Sequence, residues 1–145
     1  MLKAAARWIL ALALGAVGIL HFTGTRGFRV VVPDWATRLT RLDKDVIVVA
    51  SGAAELALAS GLIALPRERR RIGLATAAFF LAVFPGNVHQ WRTGRSTPGL
   101  DTEGRRLARL FLQPVLMLWA VWATSSPAAS RRRRRPRRRS RRIAR

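Results

Sequence analysis

The sequence predicts an all-α fold, an integral membrane four-helix bundle followed by a disordered arginine-rich C-terminal tail. Half of the 145 residues are hydrophobic, and they fall into four long blocks rather than into short amphipathic segments. Nearly all of the charged residues lie between or after these blocks. Each block is about as long as a helix that crosses the hydrocarbon core of a bilayer. The four predicted spans cover residues 4–22, 46–65, 72–91 and 107–124.

The first block, AAARWILALALGAVGILHF, has Lys3 and Arg7 at its start and could also be read as a signal peptide. No small-x-small cleavage site follows it, so we expect an uncleaved helix. In the connection after it, PDWATRLTRL predicts a short interfacial helix, with Pro33 in the first turn and Trp35 at the headgroup boundary. The second block, VIVVASGAAELALASGLIAL, ends at Pro66 and carries one charged residue, Glu55, near its middle.

The third block, IGLATAAFFLAVFPGNVHQW, contains Pro85 and Gly86, which we expect to kink or loosen the helix near its far end. The fourth, LARLFLQPVLMLWAVWAT, has Trp119 and Trp122 toward its end, as aromatic belts do. The sequence therefore divides into a four-span membrane domain, residues 1–124, and a polybasic tail, residues 125–145.

The distribution of basic residues predicts the orientation. Four spans place the N-terminus, the hinge at residues 66–71 and the tail on one side, and this side carries most of the lysines and arginines. The positive-inside rule then places both termini in the cytoplasm.

The tail, RRRRRPRRRSRRIAR, has no acidic residue. A polybasic segment directly after a span predicts binding to anionic lipid, with non-specific RNA or DNA binding as the alternative. No aromatic residue is interleaved for base stacking, so we expect no sequence-specific nucleic-acid binding.

Each predicted span contains a strongly polar residue, and the four share a similar depth in the half of the membrane opposite the termini. Glu55 lies roughly 13 Å below the outer end of its span, counting 1.5 Å per residue. Arg109 lies one helical turn before Gln113 and could reach toward Glu55 or out to the surface. The polar residues of the spans are His21, Glu55, Asn87 and Gln113.

Two interpretations of these residues stay open. In one, they cross-link the helices by hydrogen bonds worth about 0.6 kcal/mol each. In the other, they form the polar end of a ligand pocket. The face around Glu55 carries Ser51, Gly52 and Ala59, and such small residues let helices approach closely and place Glu55 inside the bundle.

Several short motifs occur in a fixed order: G-x-L-H-F at 18–22, V-x-P at 31–33, S-G-x-x-E-L at 51–56, G-L-x-x-L-P-x-x-R at 61–69 and V-F-P-x-N at 83–87. This ordered set resembles the DoxX-like family of small four-helix bacterial membrane proteins. Arg109 and Gln113 on the fourth span complete the set, and the resemblance covers about residues 8–124. Gly86 departs from the alanine common in that family.

The resemblance implies a membrane subunit of a quinone-linked or thiosulfate-oxidising complex, or a partner in an oxidant-resistance assembly. Carried over by motif, the ligand-binding residues would be His21, Glu55, Asn87 and Gln113, with Arg109 beside them. The head of a lipid-soluble quinone is the implied ligand, and an oxidoreductase subunit or a second copy of the chain is the implied partner.

The composition limits what the chain could do alone. Cysteine is absent, which excludes disulfides, thiolate metal sites and iron–sulfur clusters. We find no flavin or nucleotide motif and expect no independent catalytic activity, no covalent cofactor and no metal. The alternatives are a proton pathway or small transporter built around Glu55, a purely structural membrane partner and, least favoured, a haem held by His21 and His89.

Overall fold

The computed structural model describes residues 1–97 and 99–125, and its regular secondary structure there is helical. Four long helices carry the fold, and two short helices and a 3-10 turn, Arg29–Val31, lie in the first loop. The helices are α1 (Leu2–Thr23), α2 (Thr25–Phe28), α3 (Asp34–Thr40), α4 (Lys44–Ala64), α5 (Arg69–Thr93) and α6 (Glu103–Thr124).

The predicted all-α fold with four long apolar helices is confirmed. Each long helix extends a few residues beyond its predicted span at one end or both, and all four are long and apolar enough to cross a membrane by length and composition. The predicted disorder of the tail concerns residues that lie almost entirely outside the described part of the chain, which ends at residue 125.

The ends of the long helices follow from local sequence. Helix α4 ends at Ala64, two residues before Pro66, because proline cannot continue a helix. Helix α5 ends at Thr93 and is followed by Gly94, whose φ of 65° lies in the left-handed region that favours glycine. Helix α6 begins after Thr102, whose hydroxyl accepts a hydrogen bond from the Arg105 backbone N–H.

The four long helices form two pairs. Helix α1 packs along α4, and α5 packs along α6, whereas contacts between the two pairs are sparser. Small residues permit the close approach within each pair. A Cβ added to Gly52 would lie 2.9 Å from the backbone oxygen of Gly18, and one added to Gly73 would overlap the Thr124 side chain. The pairs therefore meet along a looser seam than the one inside each pair.

The buried core lies along this seam and is apolar. Large apolar side chains such as Leu12, Phe111 and Leu118 are instead exposed on the outer surface. An outward-facing apolar surface is what a bundle surrounded by lipid would present. The core residues are Leu10, Ala11, Leu14, Ala59, Leu62, Phe80 and Ala120.

Two local features of the first loop differ from the sequence prediction. The first loop, expected to hold one interfacial helix, also contains α2 and the 3-10 turn. Pro33 precedes α3 as its N-terminal cap instead of lying in the first turn. Helix α5 runs through Pro85 without a break from Arg69 to Thr93, and the kink expected at Pro85 and Gly86 stays a prediction. A proline removes one backbone hydrogen bond without ending the helix when the surrounding turns remain bonded.

Candidate functional site

The close packing of α1 on α4 places His21 beside Glu55. A Cβ on Gly52 would lie 2.7 Å from the Cβ of His21, and one on Gly18 would lie 3.2 Å from the Cβ of Glu55. Each of the two polar side chains therefore lies directly across from the glycine of the opposite helix. Glu55 is only 7% exposed, which confirms that it faces the interior of the bundle.

The orientation of the His21 ring is set by its own helix and by the first loop. Its Nδ1 lies 2.8 Å from the carbonyl oxygen of Val17 and 3.1 Å from Oε2 of Glu55. A carbonyl oxygen can only accept, so Nδ1 carries a hydrogen that it donates to Val17. The opposite face of the ring is covered by Phe28, whose ring is stacked with a centroid separation of 4.2 Å.

Asn87 and Gln113 form a hydrogen-bonded pair between α5 and α6. Gln113 Nε2 donates to the backbone carbonyl of Phe80 at 2.6 Å, and Asn87 Nδ2 donates to Gln113 Oε1 at 3.0 Å. The Phe80 carbonyl can only accept, so it fixes which end of the Gln113 amide faces it. The Gln113 oxygen therefore faces Asn87 and accepts from its Nδ2, which leaves Asn87 Oδ1 without a partner among the described residues. Both side chains are less than 5% exposed.

Arg109 is held by a residue that the sequence analysis did not select. Its Nη1 donates to Oε1 of Gln90 at 3.1 Å, and Gln90 is only 1% exposed. The Gln90 amide nitrogen donates in turn to the hydroxyl of Thr97 at 3.1 Å and to the carbonyl of Arg95. Arg109 therefore neither bonds directly to Glu55 nor extends outward, but is anchored to the loop that follows α5.

Two cavities adjoin these polar residues. The cap-side cavity, of about 170 Å³, lies beneath the first loop and is lined by His21, Phe28 and Trp35 among others. The core-side cavity, of about 200 Å³, lies between α1, α5 and α6 and is mostly apolar. Five residues line both cavities and so stand between them: Val17, Glu55, Val83, Asn87 and Arg109.

The loop over the cap-side cavity, residues 24–43, forms a structured cap that ion pairs tie to α4. Arg29 pairs with Asp45 in a two-pronged contact, and Lys44 Nζ lies 2.7 Å from Asp34 Oδ1. The hydrogen bond from Lys44 holds the pKa of Asp34 below its usual value. A lowered carboxyl pKa means that this pair persists through neutral pH and is lost only as the pH falls through that lowered value.

The cap also rests directly on α5. A Cβ added to Gly86 would lie 3.0 Å from the backbone oxygen of Val31, so the glycine leaves room for the 3-10 turn. An alanine here would press on the backbone of the cap. The departure at Gly86 from the alanine of the resembled family thus accompanies a close contact between cap and helix.

Two buried oxygens at the site lack a hydrogen-bond partner. Within residues 1–97 and 99–125, no donor is aligned with Glu55 Oε2 or with Asn87 Oδ1, and neither atom is accessible to water. A buried acceptor left unpaired costs about 1–3 kcal/mol. Both residues line both cavities, so a group that enters either cavity comes close to them.

The structure brings the five predicted site residues to one region. His21 and Glu55 touch across α1 and α4, Asn87 and Gln113 bond across α5 and α6, and Arg109 lines both cavities. That they bind a ligand stays a prediction. Gln90 was missed, although it follows Asn87 by three residues and so shares its helical face.

The second histidine lies apart from the site. His89 lines neither cavity, and its Nε2 is buried without a hydrogen-bond partner among the described residues. In that part of the chain no group of three or more His, Cys, Asp or Glu side chains could hold a metal ion. The pocket region is thus built from one histidine, one carboxylate, amides and a guanidinium.

The fold and the site together define a class of protein: a small helical bundle with the composition of membrane spans and a buried polar site between its helix pairs. The chain belongs to a family described as a domain of unknown function (DUF8561), whose profile matches residues 10–124. The matched region contains all of the site residues. No curated protein and no solved structure matches the sequence.

Proposed function

We propose that this chain is a DoxX-like multi-pass protein of the bacterial plasma membrane that acts as an accessory or ligand-binding membrane subunit. Its pocket would hold the polar head of a lipid-soluble molecule, and the resemblance makes a quinone the first candidate. The observation that carries the proposal is the convergence of polar side chains from all four long helices around two adjoining cavities.

The chemistry of the site fits binding better than catalysis. Glu55 and the neutral form of His21 can accept hydrogen bonds, Arg109 can donate them, and Glu55 or His21 can exchange a proton with a bound head group. The chain has no cysteine for redox chemistry. Oxidation or reduction of the ligand would therefore need an electron-transferring partner subunit.

The proposed orientation places both termini in the cytoplasm and the cap at the outer surface. Its support is the excess of basic residues on the side of the termini and the hinge. The pocket then lies in the outer leaflet. The arginine tail would bind anionic lipid headgroups on the cytoplasmic face, each arginine near the surface contributing about 1 kcal/mol.

The two alternatives have different support. A structural role is favoured by the bonds from Asn87 through Gln113 to Phe80, which cross-link α5 and α6. A proton pathway through Glu55 has less support, because a cluster of apolar residues that cannot relay a proton, including Leu10 and Leu62, occupies much of the core.

Native mass spectrometry with lipid extraction tests the proposal. Gently solubilised wild-type protein would be compared with Glu55→Gln and with a matched control, Glu68→Gln, which changes an exposed carboxylate in the hinge between α4 and α5. We expect a lipid-soluble molecule to copurify with the wild type and the control and to be lost from Glu55→Gln. Equal occupancy in all three folded proteins, or none in any, would leave Glu55 as a structural residue.

A further inference from the structure

The unpaired atoms at the site share one hydrogen-bonding character. Among the cavity-lining residues, the buried side-chain atoms that lack a partner in the described part of the chain are both oxygens, Glu55 Oε2 and Asn87 Oδ1. The polarity of the Asn87 oxygen is fixed by the Phe80 carbonyl through Gln113. These two oxygens can be paired only by hydrogen-bond donors, and a ligand that pairs them must supply the donors.

The charges of the lining indicate a neutral ligand. Glu55 and Arg109 both line both cavities, and their opposite charges interact. The carboxylate would attract a cationic ligand and the guanidinium would repel it. An anionic ligand would be attracted by the guanidinium and repelled by the carboxylate. With neutral His21 the lining has no net charge, so neither sign is favoured.

The size and openings of the cavities limit the ligand further. A cavity of about 150 Å³ accommodates a single benzene ring, and each of these cavities is only slightly larger. The core-side cavity reaches the outer apolar surface, because Ala13 and Leu112 line it and are themselves exposed. A ring could occupy a cavity while an apolar tail leaves between α1 and α6.

From these observations we infer that the ligand is a neutral, hydrogen-bond-donating hydroxyl compound, with a head of one aromatic ring and an apolar tail. A hydroquinone fits this description, whereas its oxidised quinone, which only accepts hydrogen bonds, could bond to Arg109 but would leave both oxygens unpaired. The inference rests on the proposed function and adds to it a selectivity for the reduced, hydroxyl-bearing form. The hydroxyl groups would donate to Glu55 and Asn87.

Three probes that differ in donor capacity test the inference on the full-length protein in lipid nanodiscs. They are a short-chain hydroquinone, the corresponding quinone and the hydroquinone dimethyl ether, each titrated without oxygen and followed by native mass spectrometry. A hydrogen bond to a charged group contributes enough to make affinities differ by about tenfold or more. We expect the hydroquinone to bind at least tenfold more tightly than either of the other two.

The outcomes separate the inference from the proposed function. Binding of all three probes with similar affinity would overturn the donor selectivity and leave a lipid-binding pocket in place. Tight binding of a long-chain alkylammonium would overturn the requirement for a neutral ligand. Failure of every probe to bind folded protein would overturn the inference together with the choice of a quinone-type ligand.

A variant of Glu55 tests the role of this carboxylate, because a pocket that bound its ligand only through apolar contacts would keep the same preference between the two probes. Glu55→Gln replaces one oxygen by an amide nitrogen, which donates and can therefore bond to a quinone carbonyl. We expect the preference for hydroquinone over quinone to fall at least severalfold in Glu55→Gln and to stay unchanged in Glu68→Gln. An unchanged preference in a folded Glu55→Gln protein would contradict the assigned role of Glu55. The wild-type comparison of the three probes decides the selectivity even if this variant does not fold.

Discussion

Two glycines determine where the polar side chains of the first helix pair stand. Gly18 and Gly52 allow backbone contact between α1 and α4, and His21 and Glu55 meet because each packs against the glycine of the opposite helix. Without this approach the carboxylate would be further from the ring. The position of the functional candidates is thus set by residues that have no side chain.

Replacing Gly52 with alanine should destabilise the fold. The added Cβ would lie 2.7 Å from His21 Cβ and 2.9 Å from the Gly18 backbone oxygen, so the helices must separate, at a cost of about 1–3 kcal/mol. Thermal unfolding in detergent measures the effect. Gly15→Ala is the matched control, because its Cβ would meet only Ala59 at 3.9 Å. Equal unfolding temperatures for the two variants would refute the close packing.

The hydrogen bond between Asn87 and Gln113 should appear as a coupling energy. Asn87→Leu and Gln113→Leu each leave a buried polar group unpaired, at about 1–3 kcal/mol, so the double variant should be less destabilised than the sum by about 0.6–1.7 kcal/mol. Equilibrium unfolding of both single variants and the double variant measures it. Thr124→Val combined with Gln113→Leu, about three turns away on α6, should be additive. The same coupling in that pair would show that the effect is not local.

The sequence indicates these polar residues but not their partners. The depth and type of His21, Glu55, Asn87 and Gln113 can be read from spans of known rise per residue. The backbone carbonyl of Phe80, which fixes the amide orientations, has no sequence signal because every residue carries one. Contacts of this kind depend on the relative rotation of two helices, which the hydrophobic pattern constrains only loosely.

At the scale of elements, the cap is the least regular part of the bundle and forms one wall of a cavity. Its short helices and 3-10 turn cover the ends of α1 and α4, and exposed ion pairs hold it down. Only α3 could be anticipated, from Pro33 and Trp35. The turns at residues 25–31 contain glycine and β-branched residues, which have low helix propensity. They form because Phe28 stacks on the His21 ring and Val31 packs against Gly86.

Loosening the cap should change access to the cavity more than it changes stability. The natural chain has no cysteine, so Ala36→Cys places a single thiol in the wall of the cap-side cavity. Adding Arg29→Gln removes the pair with Asp45, which as an exposed pair contributes at most about 1 kcal/mol. We expect the maleimide reaction to accelerate up to about fivefold. Arg71→Gln, which removes the exposed pair with Glu68 at the other end of the bundle, should leave the rate unchanged. Acceleration by both variants would mean a general loosening.

At the scale of the whole molecule, composition alone was sufficient to predict the number and placement of the long helices. Four apolar blocks bounded by charged residues and proline leave few other positions in the sequence where the long helices could begin and end. The pairing of α1 with α4 and of α5 with α6 was not predicted, because it depends on small residues matching across two helices. The cavities along the looser seam follow from that pairing.

The proposed orientation predicts which loops face the outside of a cell. A cysteine at exposed Ser96, between α5 and α6, should react with a membrane-impermeant maleimide in intact cells. A cysteine at exposed Arg67, in the hinge between α4 and α5, should react only after the membrane is permeabilised. The opposite pattern would reverse the orientation, and labelling of both in intact cells would contradict a spanning arrangement.

The pairing of consecutive long helices also bears on biogenesis. Each hairpin brings its own polar side chains together, His21 with Glu55 in the first and Asn87 with Gln113 in the second. A growing chain could therefore release α1 and α4 from the insertion machinery as a unit before α5 is made, with no carboxylate left to face lipid alone. We expect residues 1–66 and 67–145, produced as separate polypeptides in one cell, to insert and copurify. Degradation of the first half despite the presence of the second would show that the hairpins are not independent units of insertion.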